Sequence, residues 1–319
     1  MRCSNRAPRR NRSCCAPDHP ISGDPMTTTI GMVGIGLMGH GIATNLAKHG
    51  HKLVLFEHVG NQPLDALTAA GAVTVRSLRE LGSRSDVVIL VLTGSPQVEA
   101  VVMGDDGILA GLRPGSIVID CSTAMPSSTI QVAQAVEAVG CHFLDAPMTR
   151  TPKEAAEGRL NLLVGGDTEL LERCRPILRC FAENITHMGP LGAGHSMKLL
   201  HNYVSLGMVA LLSEAAACAQ RSRVGAEAFV QVLATGGGGG IALERVKPYL
   251  LAQDPSGLRF SIANAAKDLG YYNAMAETAG APNDIAAAVL GTLESALAKG
   301  GNQALVPELV SLLGPSAKR

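Results

Sequence analysis

Six residues, Gly34-Ile35-Gly36-Leu37-Met38-Gly39, stand between a β-branched run ending at Val33 and an apolar helical pattern through Ile42, Ala43 and Leu46. Glycines spaced G-x-G-x-x-G at a strand-to-helix junction constrain a chain strongly, because each has a separate backbone task. Gly34 permits the tight turn, Gly36 lets the backbone approach a pyrophosphate, and Gly39 lets the helix close onto the strand. The first N–H groups of the helix then face the phosphates. A glycine-rich turn without the flanking strand and helix would carry little weight. Here the context predicts a dinucleotide-binding βαβ unit, with Ile35, Leu37 and Met38 supplying the rest of the loop.

The chain around this loop has the matching rhythm. Short apolar runs at 29–33, 53–57, 87–92, 116–120, 142–145 and 160–164 alternate with helical stretches. They are apolar throughout, as strands are when helices cover both faces of a parallel sheet. After Gly192 the pattern becomes helical, with segments at 197–219, 226–234, 241–252, 261–278, 283–299 and 305–313. The expected fold is an α/β Rossmann domain over residues 27–190, followed by an all-α domain over residues 191–319.

Residues 1–26 read differently. Five arginines against two aspartates give residues 1–25 a charge of +3 and leave −3 for the rest of a chain whose formal charge is zero. No apolar run in this segment is long enough for a signal-peptide core or a membrane span, so we expect a disordered basic extension. Met26, just before the first strand, is an alternative start. The remaining composition excludes other classes. With 17% charged residues, 3% aromatics and no Trp, there is neither a basic field for nucleic acid nor an aromatic girdle for a membrane. Eight cysteines lie scattered without metal-site spacing, which points to free thiols in a reducing, cytoplasmic compartment and to no metal. His195 and His201, six residues apart, fall on different helix faces and do not make a zinc pair.

Two further features carry chemistry. Glu57 ends the second strand about twenty residues beyond the glycine loop, where an acidic side chain holds the adenosine ribose hydroxyls and repels a 2′-phosphate. This predicts NAD over NADP, although His58 beside it leaves NADP open. In the apolar run from Met197, the residues Lys198, Asn202 and Ser205 recur at i, i+4 and i+7 and share one helix face. A lysine in such a helix must reach water or a partner, and partial burial lowers its pKa toward the range useful for proton transfer. A snorkelling surface lysine is the plainer reading of that residue alone.

Taken together, these motifs resemble the β-hydroxyacid dehydrogenase family over about residues 28–313. The resemblance rests on Gly34 to Asn45, on Asp120-Cys121-Ser122-Thr123 with Pro126, on Asp145-Ala146-Pro147 leading to Gly158 and Gly165-Gly166, on Gly189 to Asn202, and on Lys267-Asp268-Leu269. It implies a 6-phosphogluconate-dehydrogenase-like fold and hydride transfer between NAD and a small 3-hydroxy acid or its semialdehyde. Lys198 would be the acid/base and Asn202 its positioning partner. By the same resemblance, Ser122 contacts the substrate carboxylate and Thr123 sits where cofactor and substrate meet. Leu92 and Thr93 lie under the nicotinamide ribose, without the family's usual proline, and Lys267 reaches the cofactor from the helical domain. A homodimer or homotetramer is implied as well.

Two departures bear on the substrate. Thr149-Arg150-Thr151 replaces the common Ser-Gly-Gly and puts a guanidinium where an anion is bound. With Asn202, Tyr203 and Ser205 it resembles the sulfolactaldehyde reductase branch. His201 replaces a first Asn. The expected substrate is thus a small anionic aldehyde or hydroxy acid of the 3-hydroxyisobutyrate or tartronate semialdehyde type, with sulfolactaldehyde or succinate semialdehyde as alternatives. A non-catalytic NAD-binding regulator and an imine reductase are the readings from other classes. Gly236 to Gly240 reads either as a closing loop or as a linker between helices.

Overall fold

The computed structural model describes residues 28–314. The expectation of a disordered extension at 1–26 lies outside these residues. The first half alternates strand and helix: β1 (Thr29–Val33), α1 (Leu37–Lys48), β2 (Lys52–Phe56), α2 (Asp65–Ala69), β3 (Val73–Val75), α3 (Leu78–Arg84), β4 (Val87–Leu90), α4 (Ser95–Met103), β5 (Ile117–Asp120), α5 (Pro126–Ala138) and β6 (His142–Asp145). It closes with β7 (Met148–Thr149), α6 (Pro152–Ala156), β8 (Leu160–Gly165), α7 (Thr168–Leu178) and β9 (Ala182–Gly189). The second half is helical: α8 (Ala193–Arg221), α9 (Ala226–Thr235), α10 (Ile241–Ala252), α11 (Ile262–Thr278), α12 (Asp284–Ala298) and α13 (Leu309–Leu313). The helix expected at 305–313 is split, because Pro307 begins a 3₁₀ turn over Val306–Glu308 before α13.

Strands β3-β2-β1-β4-β5-β6 run parallel in that order, so the order reverses between β1 and β4. At such a reversal the connecting loops leave in opposite directions and open a crevice at the carboxyl ends of the strands. The glycine loop follows β1 there, and Leu92 and Thr93 follow β4. This is the expected parallel sheet, and beyond β6 it becomes mixed. Strand β8 runs antiparallel to β6 and β7, while β9 runs parallel to β8. Strand β7 continues β6 past Ala146 and Pro147 in the same direction and register, and the chain turns back over residues 150–159 through α6, a connection too short for a crossover to a parallel strand.

Successive strand residues explain the continuous apolar runs. Val87 and Ile89 enter one core with Ile30, Ile42, Leu55 and Phe181, and Val88 and Leu90 enter another with Val33, Val118, Val132 and Val136. A third core lies between the helices of the second half, built on Leu199, Leu206, Val209, Leu243, Val246, Leu269 and Leu309. Helix α8 runs through this core for 29 residues, roughly 44 Å at 1.5 Å per residue. By length and hydropathy alone it would suit a membrane crossing, but α10, α11, α12 and α13 pack along it. Val204, Leu211 and Ile285 remain exposed on α8 and α12. All five cysteines among the described residues are free thiols.

The two halves are joined by a buried carboxylate. Asp145, at the end of β6, accepts hydrogen bonds from the backbone N–H of Gly192 and of His195, both at 2.8 Å. These are orphan donors at the start of α8, where the helix dipole also favours a negative charge. The approach requires glycine on both sides. A Cβ at Gly165 would lie 2.5 Å from one Asp145 oxygen, and a Cβ at Gly194 would lie 2.7 Å from the other. Fully buried His195 completes the joint, with Nδ1 bonded to Thr129 Oγ1 at 2.8 Å and Nε2 to the Ser122 carbonyl at 3.2 Å. Asp145→Ala is expected to lower the unfolding free energy by about 3 kcal/mol, since two buried amides lose a charged acceptor. Urea titration measures it, and a loss below about 1 kcal/mol would contradict the assigned role.

Candidate active site

The loop after β1 fits a bound dinucleotide. Gly34 takes φ +90°, and a Cβ there would strike the Val91 carbonyl at 2.1 Å. Gly39 touches the Gly34 carbonyl in the same way, so helix and turn are in contact. At Gly36, by contrast, an added Cβ meets nothing within 4 Å. That open space lies at the N-terminus of α1, where the amides of Leu37 and Met38 have no intrahelical acceptor. Ile35 behaves differently from its expected part in the loop. Its side chain is buried in the core, and its N–H donates to Asn61 Oδ1 at 3.2 Å, so it shapes the loop without facing it.

Farther along the crevice, Glu57, His58, Asn61, Gln62 and Arg76 border an opening of about 570 Å³. Glu57 does not stand alone there. Arg76, highly exposed, donates Nε to it at 2.7 Å, and this hydrogen bond, with one from Thr74, holds the Glu57 carboxyl below its usual range.

At the other end the helical half closes over the loop after β4. Lys267 Nζ donates to the Thr93 carbonyl and pairs with Asp268 Oδ1 at 2.9 Å, lying 5.3 Å above the Tyr271 ring. The Tyr271 hydroxyl accepts from the Ser95 N–H at 3.2 Å. Ser122 is buried, and its hydroxyl accepts from the Leu92 N–H at 2.9 Å, so it fixes the two strand ends together. Its neighbour Thr123 is half-buried.

Lys198 sits one turn beyond the Asp145 joint. It is half-buried, and its ammonium is brought down to about 8, first by burial, with Asp268 opposing and Lys267 adding to the fall. Asn202, one turn on, donates Nδ2 to Asp268 Oδ2 at 2.6 Å and accepts at Oδ1 from His201 Nδ1 at 3.0 Å. Asp268 is therefore the residue that organises the site: buried, on α11, it binds Asn202 and Lys267 and acts on Lys198. The sequence shows it only within Lys267-Asp268-Leu269. Nothing there says that its carboxylate faces residue 202.

Lys198, His201 and Asn202 face a cleft of about 720 Å³, lined also by Thr149, Arg150, Thr151, Ser205, Arg245 and Phe260. Two expected substrate contacts are placed otherwise. Tyr203 turns away from the cleft and stacks on Tyr272 with ring centroids 4.2 Å apart, because residue 203 lies on a different face of α8 from 198, 202 and 205. Arg150 reaches the cleft wall already paired, its guanidinium bonded to Glu183 and to the Arg159 carbonyl. It adopts φ +83° there. Ser122 and Thr123 lie outside the lining of this cleft. The Gly236 to Gly240 run leads into the first turn of α10, whose Ile241, Ala242 and Arg245 line it.

Residues 29–189 match the NAD binding domain of 6-phosphogluconate dehydrogenase. Residues 192–313 match a family described as NAD-binding of NADP-dependent 3-hydroxyisobutyrate dehydrogenase. The chain belongs to the β-hydroxyacid dehydrogenase family. This dehydrogenase is 37% identical over 248 residues to the NAD-dependent L-serine dehydrogenase of Pseudomonas aeruginosa, covering 76% of this chain and 83% of the relative. It is 32% identical over 263 residues to the 3-hydroxyisobutyrate dehydrogenase of the same organism, covering 80% and 88%. Among solved structures, a Mycobacterium tuberculosis 3-hydroxyisobutyrate dehydrogenase with L-serine superposes with a TM-score of 0.78 at 28% identity, covering 90% of this chain and 99% of the other. The dehydrogenase is thus an NAD(P)-dependent oxidoreductase of hydroxy acids.

The Glu57–Arg76 pair makes a measurable prediction about cofactor choice. If Glu57 holds the ribose as its position after β2 predicts, Glu57→Ala removes that acceptor and frees a guanidinium for a 2′-phosphate, and the ratio of kcat/KM for NADH to that for NADPH should fall on the order of tenfold or more. An unchanged ratio would place cofactor discrimination elsewhere.

Proposed function

We propose that this dehydrogenase interconverts a small 3-hydroxy acid and its semialdehyde, of the 3-hydroxyisobutyrate or tartronate semialdehyde/glycerate type, with NAD preferred over NADP. The observation that carries the reading is Lys198: an ammonium brought near neutrality, on the wall of an otherwise cationic cleft, with Asn202 and Asp268 behind it. The nicotinamide, when bound, gives or takes the hydride at the carbonyl carbon. Lys198 gives a proton to the carbonyl oxygen in reduction and takes it back from the hydroxyl in oxidation. Asn202, held by Asp268, orients the oxygen beside it. Leu37, Met38 and the space at Gly36 hold the pyrophosphate, and Lys267 ties the helical half to the loop beneath the nicotinamide ribose.

The cleft wall favours an anion without an amino group. Its charged lining residues among the described ones are Arg150, Lys198 and Arg245, and no carboxylate lines it. The ammonium of L-serine, the substrate in the name of one relative, would face only like charges there. A sulfonate, as in sulfolactaldehyde, is the second reading, and it rests on Arg150 in place of the common Ser-Gly-Gly. Turnover of tartronate, methylmalonate and succinate semialdehydes and of sulfolactaldehyde, followed by NADH oxidation, ranks the candidates. Lys198→Ala should lower kcat by roughly 10²–10⁴-fold while NADH binding, followed by fluorescence, stays close to that of the unsubstituted enzyme. Retained turnover would remove Lys198 from the reaction.

A further inference from the structure

Of the two guanidinium groups on the cleft wall, the sequence draws attention to Arg150, and the structure draws it to the other. Arg150 is engaged by Glu183 and by the Arg159 carbonyl. Arg245, half-buried in the first turns of α10, has no carboxylate or carbonyl partner among the described residues. Its acidic neighbour Glu244 is turned to Lys247, 3.7 Å away. Arginine keeps its charge at every physiological pH, and a half-buried guanidinium without a counter-charge is unfavourable unless a ligand supplies one.

The position fits an anion. Arg245 shares the cleft with Lys198, His201, Asn202 and Thr149. Its field reaches His201, whose imidazole is held below its usual range chiefly by burial, with smaller pushes from Lys198 and Arg245. The Thr149 hydroxyl accepts from Asn161 Nδ2 at 3.2 Å, so its proton remains available for an acceptor in the cleft. We propose that Arg245 is the anchor for the acid group of the substrate and so determines specificity for anionic over neutral alcohols and aldehydes. The inference rests on the reaction proposed above only in taking this cleft as the substrate site.

A matched pair of ligands tests it: 3-hydroxyisobutyrate and its uncharged counterpart 2-methyl-1,3-propanediol, titrated calorimetrically into the NADH-saturated enzyme, in which no hydride can be accepted from either. The unsubstituted enzyme should prefer the acid. Arg245→Gln should weaken binding of the acid on the order of 30-fold, the size of one lost charge-assisted pair, and leave the diol unchanged. Arg245→Lys should restore part of the preference, and NAD binding and thermal midpoint should be unaltered in both. The proposal falls if Arg245→Gln binds the acid within about threefold of the unsubstituted enzyme, if acid and diol weaken together, or if Arg150→Ala alone abolishes the preference. It also falls if the unsubstituted enzyme binds neither ligand. An enzyme that binds the acid through Arg245 yet oxidises no hydroxy acid would overturn the proposed reaction and leave the anchor standing.

Discussion

The carboxylate of Asp145 is the contact on which the rest depends. It sits at the buried end of β6 and bonds two amides at the head of α8, so sheet and helix share one rigid joint. Helical geometry then fixes everything downstream. Lys198 comes one turn after His195, and Asn202 and Ser205 follow on the same face. A helix docked by side-chain packing alone could slide along its groove. One docked through its own N–H groups cannot move without leaving buried donors unpaired, which is why Gly165 and Gly194 must lack side chains on either side of the carboxylate.

A second constraint is electrostatic. Lys198, Lys267 and Arg245 converge on a region where Asp268 is the buried carboxylate, and Asp268 is already shared between Asn202 and Lys267. The negative charge that remains for Lys198 does not offset its burial, and the ammonium therefore titrates near 8. Such a group gives up and regains a proton at little free-energy cost, whereas an exposed lysine near 10.5 is a poor base at neutral pH. The same shortage of carboxylates makes the cleft attractive to an anion. A substrate acid group supplies the counter-charge that the fold omits.

Much of this was legible from residue order. The glycine loop, the apolar strand runs and the change to helical periodicity after Gly192 each have a local cause, and β1, β2, β4, β5, β6 and β8 follow them closely, whereas the three-residue β3 at the sheet edge has no counterpart among them. The missed parts have non-local causes. Strand β9 is an edge strand paired only with β8 and carries the exposed polar residues Glu183, Asn184, Thr186 and His187, so its pattern lacks the apolar run of a buried strand. The chain reversal through α6 and the two-residue β7 depend on pairing with β8. In the site, Lys198, Asn202 and Ser205 can be placed by helix spacing. The Asp268 contact spans 66 residues of sequence and the Arg150–Glu183 pair 33. Neither has a local signature, and the turn of Tyr203 onto Tyr272 likewise follows from how α8 and α11 pack.

The central claim is that Lys198, titrating near 8, is the group that protonates the carbonyl oxygen. The pH dependence of kcat/KM for semialdehyde reduction at saturating NADH tests it most directly. Reduction needs the protonated ammonium, so the rate should be level below the pKa and fall about tenfold per pH unit above roughly 8. Oxidation should show the mirror image, rising toward a plateau above the same value. A reduction profile that stays level through pH 10 would contradict the account, because a proton donor with this pKa would by then be almost entirely deprotonated.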